Sequence, residues 1–324
     1  MSVTFSGAFT FSGGGFTATL APPPSTATAG WYSGGLAGPT LASTVNRITF
    51  ATDTATASVR GPLSIPKQFE AGTGTFTYGW FGAGTSPGIL SSVDRITYAT
   101  DTATASARGP LSSARYSLVA TGDNNTYGWF IGGLPPSYLV STTIDRITYA
   151  SDTATASVRG PISAAAYNGA ASTDTTTYGW FSYGRNDSTR VSTVARITYA
   201  TDTNSPTVRG PLSAAKYKLA ATGTTSYGWY AGGKQFAVPE YSTVDRIDYA
   251  NDTATASVRG PLASSSQLLA ASTDGTTYGW FGGGQPPNTS VIQRITYATD
   301  TTTASNRGNF SIGGANWAAT SGIQ

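Results

Sequence analysis

The chain has 324 residues and a net charge of +3, from 19 Lys and Arg against 16 Asp and Glu, and it contains neither Cys nor His. Without thiol or imidazole groups it can form no disulfide, no Ser–His–Asp or Cys–His catalytic site and few transition-metal sites. Charged residues make up 11% of the chain, and twelve of the fifteen Arg belong to two repeated columns. We therefore predict no cofactor, no metal and no nucleic-acid partner.

No apolar run approaches the roughly 18 residues that a membrane-spanning helix requires. The first residues, M-S-V-T-F, lack the basic head and apolar core of a secretory signal. We expect no insertion into a membrane.

Residues 1–24 form the first segment in chain order. Its four phenylalanines lie among Ser, Gly and Thr: Phe5, Phe9, Phe11 and Phe16. Three prolines at 22–24 then form a stiff spacer. Because Phe side chains outside a folded unit are exposed unless they dock on something, we predict an attachment arm that anchors the chain to a partner subunit. A strand folded back onto the rest of the chain is the alternative.

Residues 25–324 consist of six copies of one unit. A Trp preceded by Gly recurs at steps of 49 to 51 residues, at Trp31, Trp80, Trp129, Trp180, Trp229 and Trp280. The Arg of a V-D-R-I pattern recurs at Arg47, Arg95, Arg146, Arg196, Arg246 and Arg294. A second Arg, followed by Gly, recurs at Arg60, Arg108, Arg159, Arg209, Arg259 and Arg307. Self-similarity at this period, in a chain rich in strand formers, predicts a closed propeller or an open array of β units.

The third copy shows the pattern within a unit. Apolar runs and alternation predict strands over 126–132, 144–150 and 154–159, and a strand of small residues begins at 170. The spacing between the two Arg columns is thirteen residues in every copy, whereas the stretch between the Trp and the first Arg varies in length. We predict that this variable stretch is a surface loop, 133–143 in this copy.

The two ends of the chain distinguish a ring from an array. Prolines 22–24 cannot form an interior strand ahead of the first unit, because they offer no ladder donors. The segment 317–320 follows Arg307 at the offset that 118–121 has from Arg108. We therefore predict an all-β fold, a six-bladed β-propeller of four-stranded blades, in which the C-terminal strand completes the first blade and removes exposed edges.

Two resemblances follow from these motifs. Gly-Gly after an aromatic strand, then V-D-R-I-x-Y-x-x-x-T and R-G-P-L-S, resembles a diverged kelch repeat, although the Trp lies before the Gly-Gly here. The string D-R-I-x-Y-A-x-D-T-A-T-A-S-V-R-G-P-L, over residues 30–320, resembles repeats in structural proteins of tailed bacteriophages, notably those of marine cyanobacteria. The second resemblance implies a virion structural protein on the exterior of a phage particle.

The repeated polar residues allow two interpretations. The two Arg columns could bind an anion at the centre of a ring, or they could pair with the six turn aspartates Asp53, Asp101, Asp152, Asp202, Asp252 and Asp300. Sixfold repetition favours the structural interpretation, because a functional site normally breaks symmetry and Arg forks suit such pairs. For the same reason we expect the Trp and Tyr columns to pack between blades rather than to stack on carbohydrate.

A catalytic interpretation would need paired carboxylates outside the scaffold. The candidates are scattered and include no recognisable pair: Glu70, Glu240, Asp123, Asp174, Asp187, Asp248 and Asp274. Sialidases share a six-bladed propeller, but their S-x-D-x-G-x-x-W turn motif is not matched here. We predict no catalytic residues.

The variable loops break the symmetry, and loops on a rigid scaffold often carry binding. They leave from the same face as the links after R-G-P-L. We predict that this face recognises a partner through Pro135, Tyr138, Arg185, Asn186, Asp187, Arg190, Lys234, Phe236, Tyr241 and Asn288. Simple sequence drift of surface loops is the alternative.

Taken together, these patterns favour a non-enzymatic phage virion protein. It would be a displayed propeller, held to other virion proteins by its N-terminal arm, in a tail fibre or appendage that contacts a host surface glycan or protein. A capsid decoration protein is the first alternative. A carbohydrate-active enzyme or lectin and an intracellular kelch-like adaptor are the others.

Overall fold

The computed structural model describes residues 10–12, 15–17, 26–187, 189–236 and 239–321. Two short strands, β1 (Thr10–Ser12) and β2 (Gly15–Thr17), pair antiparallel with Phe11 opposite Phe16. The other two phenylalanines of the predicted arm, Phe5 and Phe9, lie outside the described residues. No helix within the described residues is long and apolar enough to cross a membrane.

The first three repeats contain fourteen strands. The first repeat has β3 (Ala29–Ala37), β4 (Thr40–Leu41), β5 (Val45–Thr49) and β6 (Ser58–Arg60). The second has β7 (Ala71–Gly74), β8 (Tyr78–Gly82), β9 (Thr85–Ser86), β10 (Gly88–Ile89), β11 (Val93–Thr97) and β12 (Ser106–Arg108). The third has β13 (Val119–Gly122), β14 (Tyr127–Ile131), β15 (Ile144–Thr148) and β16 (Ser157–Val158).

The last three repeats follow the same plan. The fourth has β17 (Ala171–Thr173), β18 (Tyr178–Ser182), β19 (Arg185–Asn186), β20 (Thr189–Arg190), β21 (Val194–Thr198) and β22 (Thr207–Arg209). The fifth has β23 (Ala220–Gly223), β24 (Tyr227–Ala231), β25 (Val244–Asp248) and β26 (Ser257–Arg259). The sixth has β27 (Ala270–Thr273), β28 (Tyr278–Gly282), β29 (Thr289–Thr296) and β30 (Ser305–Ser321).

Each V-D-R-I strand ends in one turn of 3₁₀ helix that carries the next aromatic residue. These turns are Phe50–Thr52, Tyr98–Thr100, Tyr149–Ser151, Tyr199–Thr201, Tyr249–Asn251 and Tyr297–Thr299. Each is followed directly by the turn aspartate. A rigid turn therefore places one aromatic ring and one carboxylate at the same point of every repeat.

The second to fifth repeats form four separate four-stranded antiparallel sheets. In the third repeat the order is β13-β14-β15-β16, and the register places Trp129 opposite Arg146. The chain thus runs back and forth across each blade, starting from the strand of small residues. This up-and-down order confirms an all-β propeller.

The predicted six separate blades need correction. The structure has four separate blades, and the first and sixth repeats share one eight-stranded sheet of order β27-β28-β29-β30-β3-β5-β6, with β4 paired to β3. The cause is β30, a 17-residue strand that pairs with β29 near its start and with β3 near its end. Its second half sets Trp317 opposite Gly34 and Thr320 opposite Trp31, at the offset from Arg307 that the sequence indicates.

The hydrophobic core lies between neighbouring repeats. One cluster combines Trp129 and Ile144 of the third repeat with Phe181 and Tyr199 of the fourth. The Trp129 ring stacks on that of Tyr199, with centroids 4.2 Å apart. The equivalent ring pair recurs between each repeat and the next around the chain. The Trp column therefore packs between repeats, as predicted, and large buried aromatics contribute strongly to stability.

Candidate recognition surface on the loop face

The repeated charges form a closed lattice, here called the Asp lattice. Each turn aspartate accepts a hydrogen bond from the Trp of the preceding repeat and faces both of that repeat's Arg side chains. For Asp202, Trp129 Nε1 lies at 2.8 Å, Arg146 Nη1 at 3.1 Å and Arg159 Nε at 3.4 Å. The last contact in the series runs from Trp280 and Arg294 back to Asp53. The lattice therefore links all six repeats in a cycle.

Asp53 shows how such a carboxylate is held. Burial by itself would raise its pKa, but hydrogen bonds from Arg307 and Trp280 and the charge of Arg294 bring the pKa below its ordinary value. Every Arg of the two columns faces an aspartate in this way. The columns consequently lock neighbouring repeats together, in agreement with the structural interpretation.

Three further ion pairs are buried inside single repeats. They join Lys67 to Asp94 at 3.0 Å, Lys216 to Asp245 at 3.0 Å, and Arg115 to Asp145. The fourth repeat has Ala166 and Ala195 at the equivalent positions. These pairs were not predicted; the signal was the co-occurrence, in three copies, of the Asp of V-D-R-I with a base seven residues after the second Arg.

The strands of small residues surround a cavity. A cavity of about 130 Å³ is lined by β7, β13, β17, β23, β27 and the end of β30. Six link residues surround a second cavity of about 80 Å³ beside it, and all six have positive φ: Phe69, Ser117, Asn168, Lys218, Leu268 and Asn316. The N–H of each donates to the carbonyl of the one before, at 2.7 to 3.3 Å, and Phe69 N–H closes the circle onto Asn316. We call this the link ring.

The link ring and the variable loops share one face. Isolated bridges pair a residue next to the ring with the loop of the same repeat, as Tyr116 with Leu134 and Tyr217 with Lys234. The loops therefore lie beside the link ring. The loops differ in sequence, whereas every repeat contributes one residue of the same backbone conformation to the ring.

Basic and aromatic side chains gather on this face between the fourth and fifth repeats. We define the cationic cluster as Arg185, Arg190, Lys218 and Lys234 with the rings of Tyr167, Tyr217 and Phe236. The Arg190 guanidinium carbon lies 4.5 Å from the centre of the Phe236 ring and 5.4 Å from that of Tyr217. Arg185 lies 5.4 Å from Tyr167, and Lys218 Nζ 5.4 Å from Tyr217. Arg185, Arg190 and Lys234 are among the residues predicted from the sequence. Lys218 and both tyrosines are not, because they lie in links and not in loops.

The cationic cluster holds all of the basic charge that the framework does not use. The other fifteen Lys and Arg of the chain belong to the Asp lattice or to the three buried pairs. Two carboxylates lie beside the cluster: Glu240 pairs with Lys234 at 3.2 Å, and Asp187 occupies the tip of the β19–β20 hairpin. Two neighbouring loops thus carry three cations and the adjoining link a fourth, Lys218, against two carboxylates.

Other residues predicted to bind lie around or away from this cluster. Asn186 is in β19, and the Tyr241 hydroxyl donates to Gln235 Oε1 at 2.8 Å. Pro135 and Tyr138 belong to the third loop, where Tyr138 is 69% exposed. Asn288 lies in the exposed sixth loop, beside Gly313. The structure brings together the predicted residues of the fourth and fifth loops, whereas Pro135, Tyr138 and Asn288 belong to the third and sixth loops.

Glu70 is the acidic residue next to the link ring. It is 6% exposed, and its equivalents in the second-Arg register are Leu118, Gly169, Leu219, Leu269 and Trp317. Burial raises its pKa to about 8, and the charge of Lys67 opposes that rise. Its Oε1 accepts a 3.3 Å hydrogen bond from Ser33, and Gly34 leaves room for the carboxyl group where a Cβ would overlap it.

The remaining candidate carboxylates serve turns. Asp123, Asp174 and Asp274 each accept three backbone N–H groups through Oδ1. Asp248 accepts the N–H of Ala250. Within the described part of the chain, no group of three or more acidic side chains is placed to hold a metal ion.

Comparisons with known proteins bear on the fold. No protein-family model matches the chain, and no curated protein matches it. A solved structure titled "Structure of YjhT" is similar, with a TM-score of 0.66 and 9% sequence identity over 88% of this chain and 98% of that chain. At this identity the similarity shows the fold alone, an all-β propeller.

Proposed function

We propose that the protein is a non-enzymatic recognition module displayed on the exterior of a phage particle. The proposal rests on how the charged residues are distributed in the protein. Repeated charges are paired inside the framework, whereas the cations outside it gather on one loop face. Such a face suits weak contact with a host surface glycan or protein, strengthened by many copies.

The placement on a virion rests on the repeated string D-R-I-x-Y-A-x-D-T-A-T-A-S-V-R-G-P-L. In this proposal residues 1–24 attach the propeller to other virion proteins in a tail fibre or appendage, and capsid decoration is the alternative position. The diverged kelch character of the repeat belongs to the same proposal. A count of six blades also belongs to the proposal, if the two halves of the shared eight-stranded sheet are counted as separate blades. The six-membered cycle of the Asp lattice supports this count.

Glu70 is the residue closest in character to a general acid. Its raised pKa would suit that role, but a hydrolase needs a second carboxylate in the same pocket. The neighbouring carboxylate is Asp94, which is buried against Lys67 at 3.0 Å. This arrangement supports a non-catalytic role over a carbohydrate-active enzyme.

Immunogold electron microscopy of purified particles, with antibody against residues 30–324, tests the proposal. We expect label at the tail or its fibres. Label spread over the capsid would favour decoration instead. Particles that carry no label, from lysates in which the protein is made, would contradict the virion assignment.

A further inference from the structure

The cationic cluster places two like charges close together on one hairpin. In the β19–β20 hairpin the register sets Arg185 directly opposite Arg190. Like charges at directly opposed positions of an antiparallel pair destabilise it. Two guanidinium groups held at one hairpin are therefore better accommodated when an anion lies between or above them.

Lys218 adds a third positive charge from the link ring. Burial lowers its pKa, and the charges of Lys234 and Arg185 lower it further, while Tyr217 opposes the shift. In the described residues Lys218 forms no ion pair with a carboxylate. An incoming anion would relieve the repulsion among Lys218, Lys234 and Arg185. The cluster is therefore electrostatically complementary to negative charge.

Only one of the three nitrogens of the Arg185 guanidinium donates a hydrogen bond to the described residues. Its Nε donates to the carbonyl of Asp187 at 2.9 Å, which fixes the guanidinium plane. Within the described part of the chain, its two Nη groups make no hydrogen bond to the protein. A planar guanidinium with such donors matches the two oxygens of a carboxylate or sulfate group.

The rings beside the cations favour a saccharide over nucleic acid. Phe236 is 69% exposed and lies against Arg190, so it offers an apolar surface next to a charge, as sugar rings with acidic groups require. Duplex DNA presents a charge every 1.7 Å or so and is bound by rows of cations. Here Asp187, at the tip of the hairpin, and Glu240, which pairs with Lys234, lie among the cations.

We propose that the cationic cluster binds an acidic polysaccharide, with Arg185 and Lys218 pairing with its carboxylate or sulfate groups and Phe236 lying against a sugar ring. This inference rests on the proposed recognition function and names the class of ligand. It adds Lys218, Tyr167 and Tyr217 to the residues that form the site.

Biolayer interferometry with the full chain tests this inference, using alginate as the acidic probe and dextran as the neutral one. We expect binding to alginate that weakens as salt rises, and little binding to dextran. The double variant Arg185→Gln/Lys218→Gln should weaken alginate binding about tenfold or more, because two charge-assisted contacts are lost. Asn125→Ala, in the exposed turn between β13 and β14, is the matched control and should bind as the unaltered chain does.

Several results would overturn the inference. Equal binding to dextran and alginate would show that acidic groups are not recognised. Loss of alginate binding in the control as well would show that the site is not this cluster. Binding to duplex DNA or to an acidic protein in place of either glycan, lost in the double variant, would replace the saccharide by that class.

A second readout separates this inference from the proposed function. If the chain binds host cells and the double variant binds them equally well, the acidic-glycan inference fails and the recognition role stands. If the unaltered chain binds alginate but neither host cells nor particles, the recognition role on a virion fails while the site itself remains.

Discussion

The Asp lattice and the cationic cluster use the same residue types for different ends. In the lattice, Arg146 lies 3.1 Å from the carboxylate of Asp202, which is 4% exposed. In the cluster, Arg185 faces a ring at 5.4 Å and a backbone carbonyl. An arginine that meets an aspartate of the next repeat stabilises the fold, whereas Arg185, which forms no ion pair with a carboxylate among the described residues, can pair with a ligand. Stability and recognition are thus assigned to separate regions.

The largest effect on stability is expected in the Asp lattice. Asp202→Ala would remove the shared acceptor of Trp129, Arg146 and Arg159. We expect a loss of about 5 kcal/mol in the free energy of unfolding, because two guanidinium groups and an indole N–H are left without their carboxylate. Urea unfolding followed by Trp fluorescence measures this.

Asp248→Ala is the control for Asp202→Ala. It removes an exposed aspartate that caps one 3₁₀ turn, so the expected cost is about 1 kcal/mol or less. Equal costs for the two variants would contradict the assignment of the lattice as the main tie between repeats.

The buried pair of the third repeat should give the next largest effect. Asp145→Ala leaves the Arg115 guanidinium buried without its partner and should cost about 3–4 kcal/mol. Adding Arg115→Met should recover most of that loss, because an apolar side chain then fills the site. The fourth repeat, with Ala166 and Ala195 at these positions, shows that an uncharged pair fits the fold. A double variant as unstable as the single one, by thermal unfolding, would contradict this account.

Glu70 should make stability depend on pH. Its pKa is about 8 in the folded chain, above the ordinary value of 4.5, so the folded state binds more protons between these values. Stability should therefore fall as pH rises from about 4.5 to about 8 and level off above that. Glu70→Leu, matching Leu118, Leu219 and Leu269, should remove this slope and stabilise the chain by about 2 kcal/mol at pH 9.

Unfolding measured across this pH range tests the prediction. The pKa of Glu240 is lowered, chiefly by a hydrogen bond from its own backbone N–H, with Lys234 contributing, so Glu240→Gln should leave the slope between pH 5 and 8 intact. A slope that survives Glu70→Leu would mean that another group titrates in this window.

The smallest effect on stability is expected in the cationic cluster. Arg185→Gln changes a half-exposed side chain outside the lattice, so the free energy of unfolding should change by less than about 0.5 kcal/mol. The same variant should weaken binding to an acidic ligand. A large loss of stability, seen by thermal unfolding, would mean that this arginine also belongs to the framework.

The sequence predicted the features that repetition makes visible. The strand order, the packing role of the Trp column and the pairing of 317–320 with the first repeat follow from residues that recur at fixed offsets. The link ring does not, because Phe69, Ser117 and Lys218 share only a backbone conformation, which their side chains do not indicate. The shared sheet was missed because it depends on the length of β30 and on no motif.

The candidate site was predicted in part for a related reason. Arg185, Arg190 and Phe236 lie in loops that vary between copies, so their asymmetry drew attention. Tyr167 and Tyr217 come from the links, which the sequence places on the same face as the loops. Only the hydrogen-bonded bridges to Arg185 and Lys234 show which link residues lie against which loop.

The long strand β30 also determines how the protein would carry a mechanical load. A pull on the chain ahead of residue 29 acts along β3, which is hydrogen-bonded to β30 on one side and to β5 on the other. The hydrogen bonds of β3 to both neighbours are then loaded together in shear, so they do not break one after another. Because β30 is also bonded to β29, the tension passes from the first repeat into the sixth, so a propeller held by its N-terminal segment would resist drag as a single body.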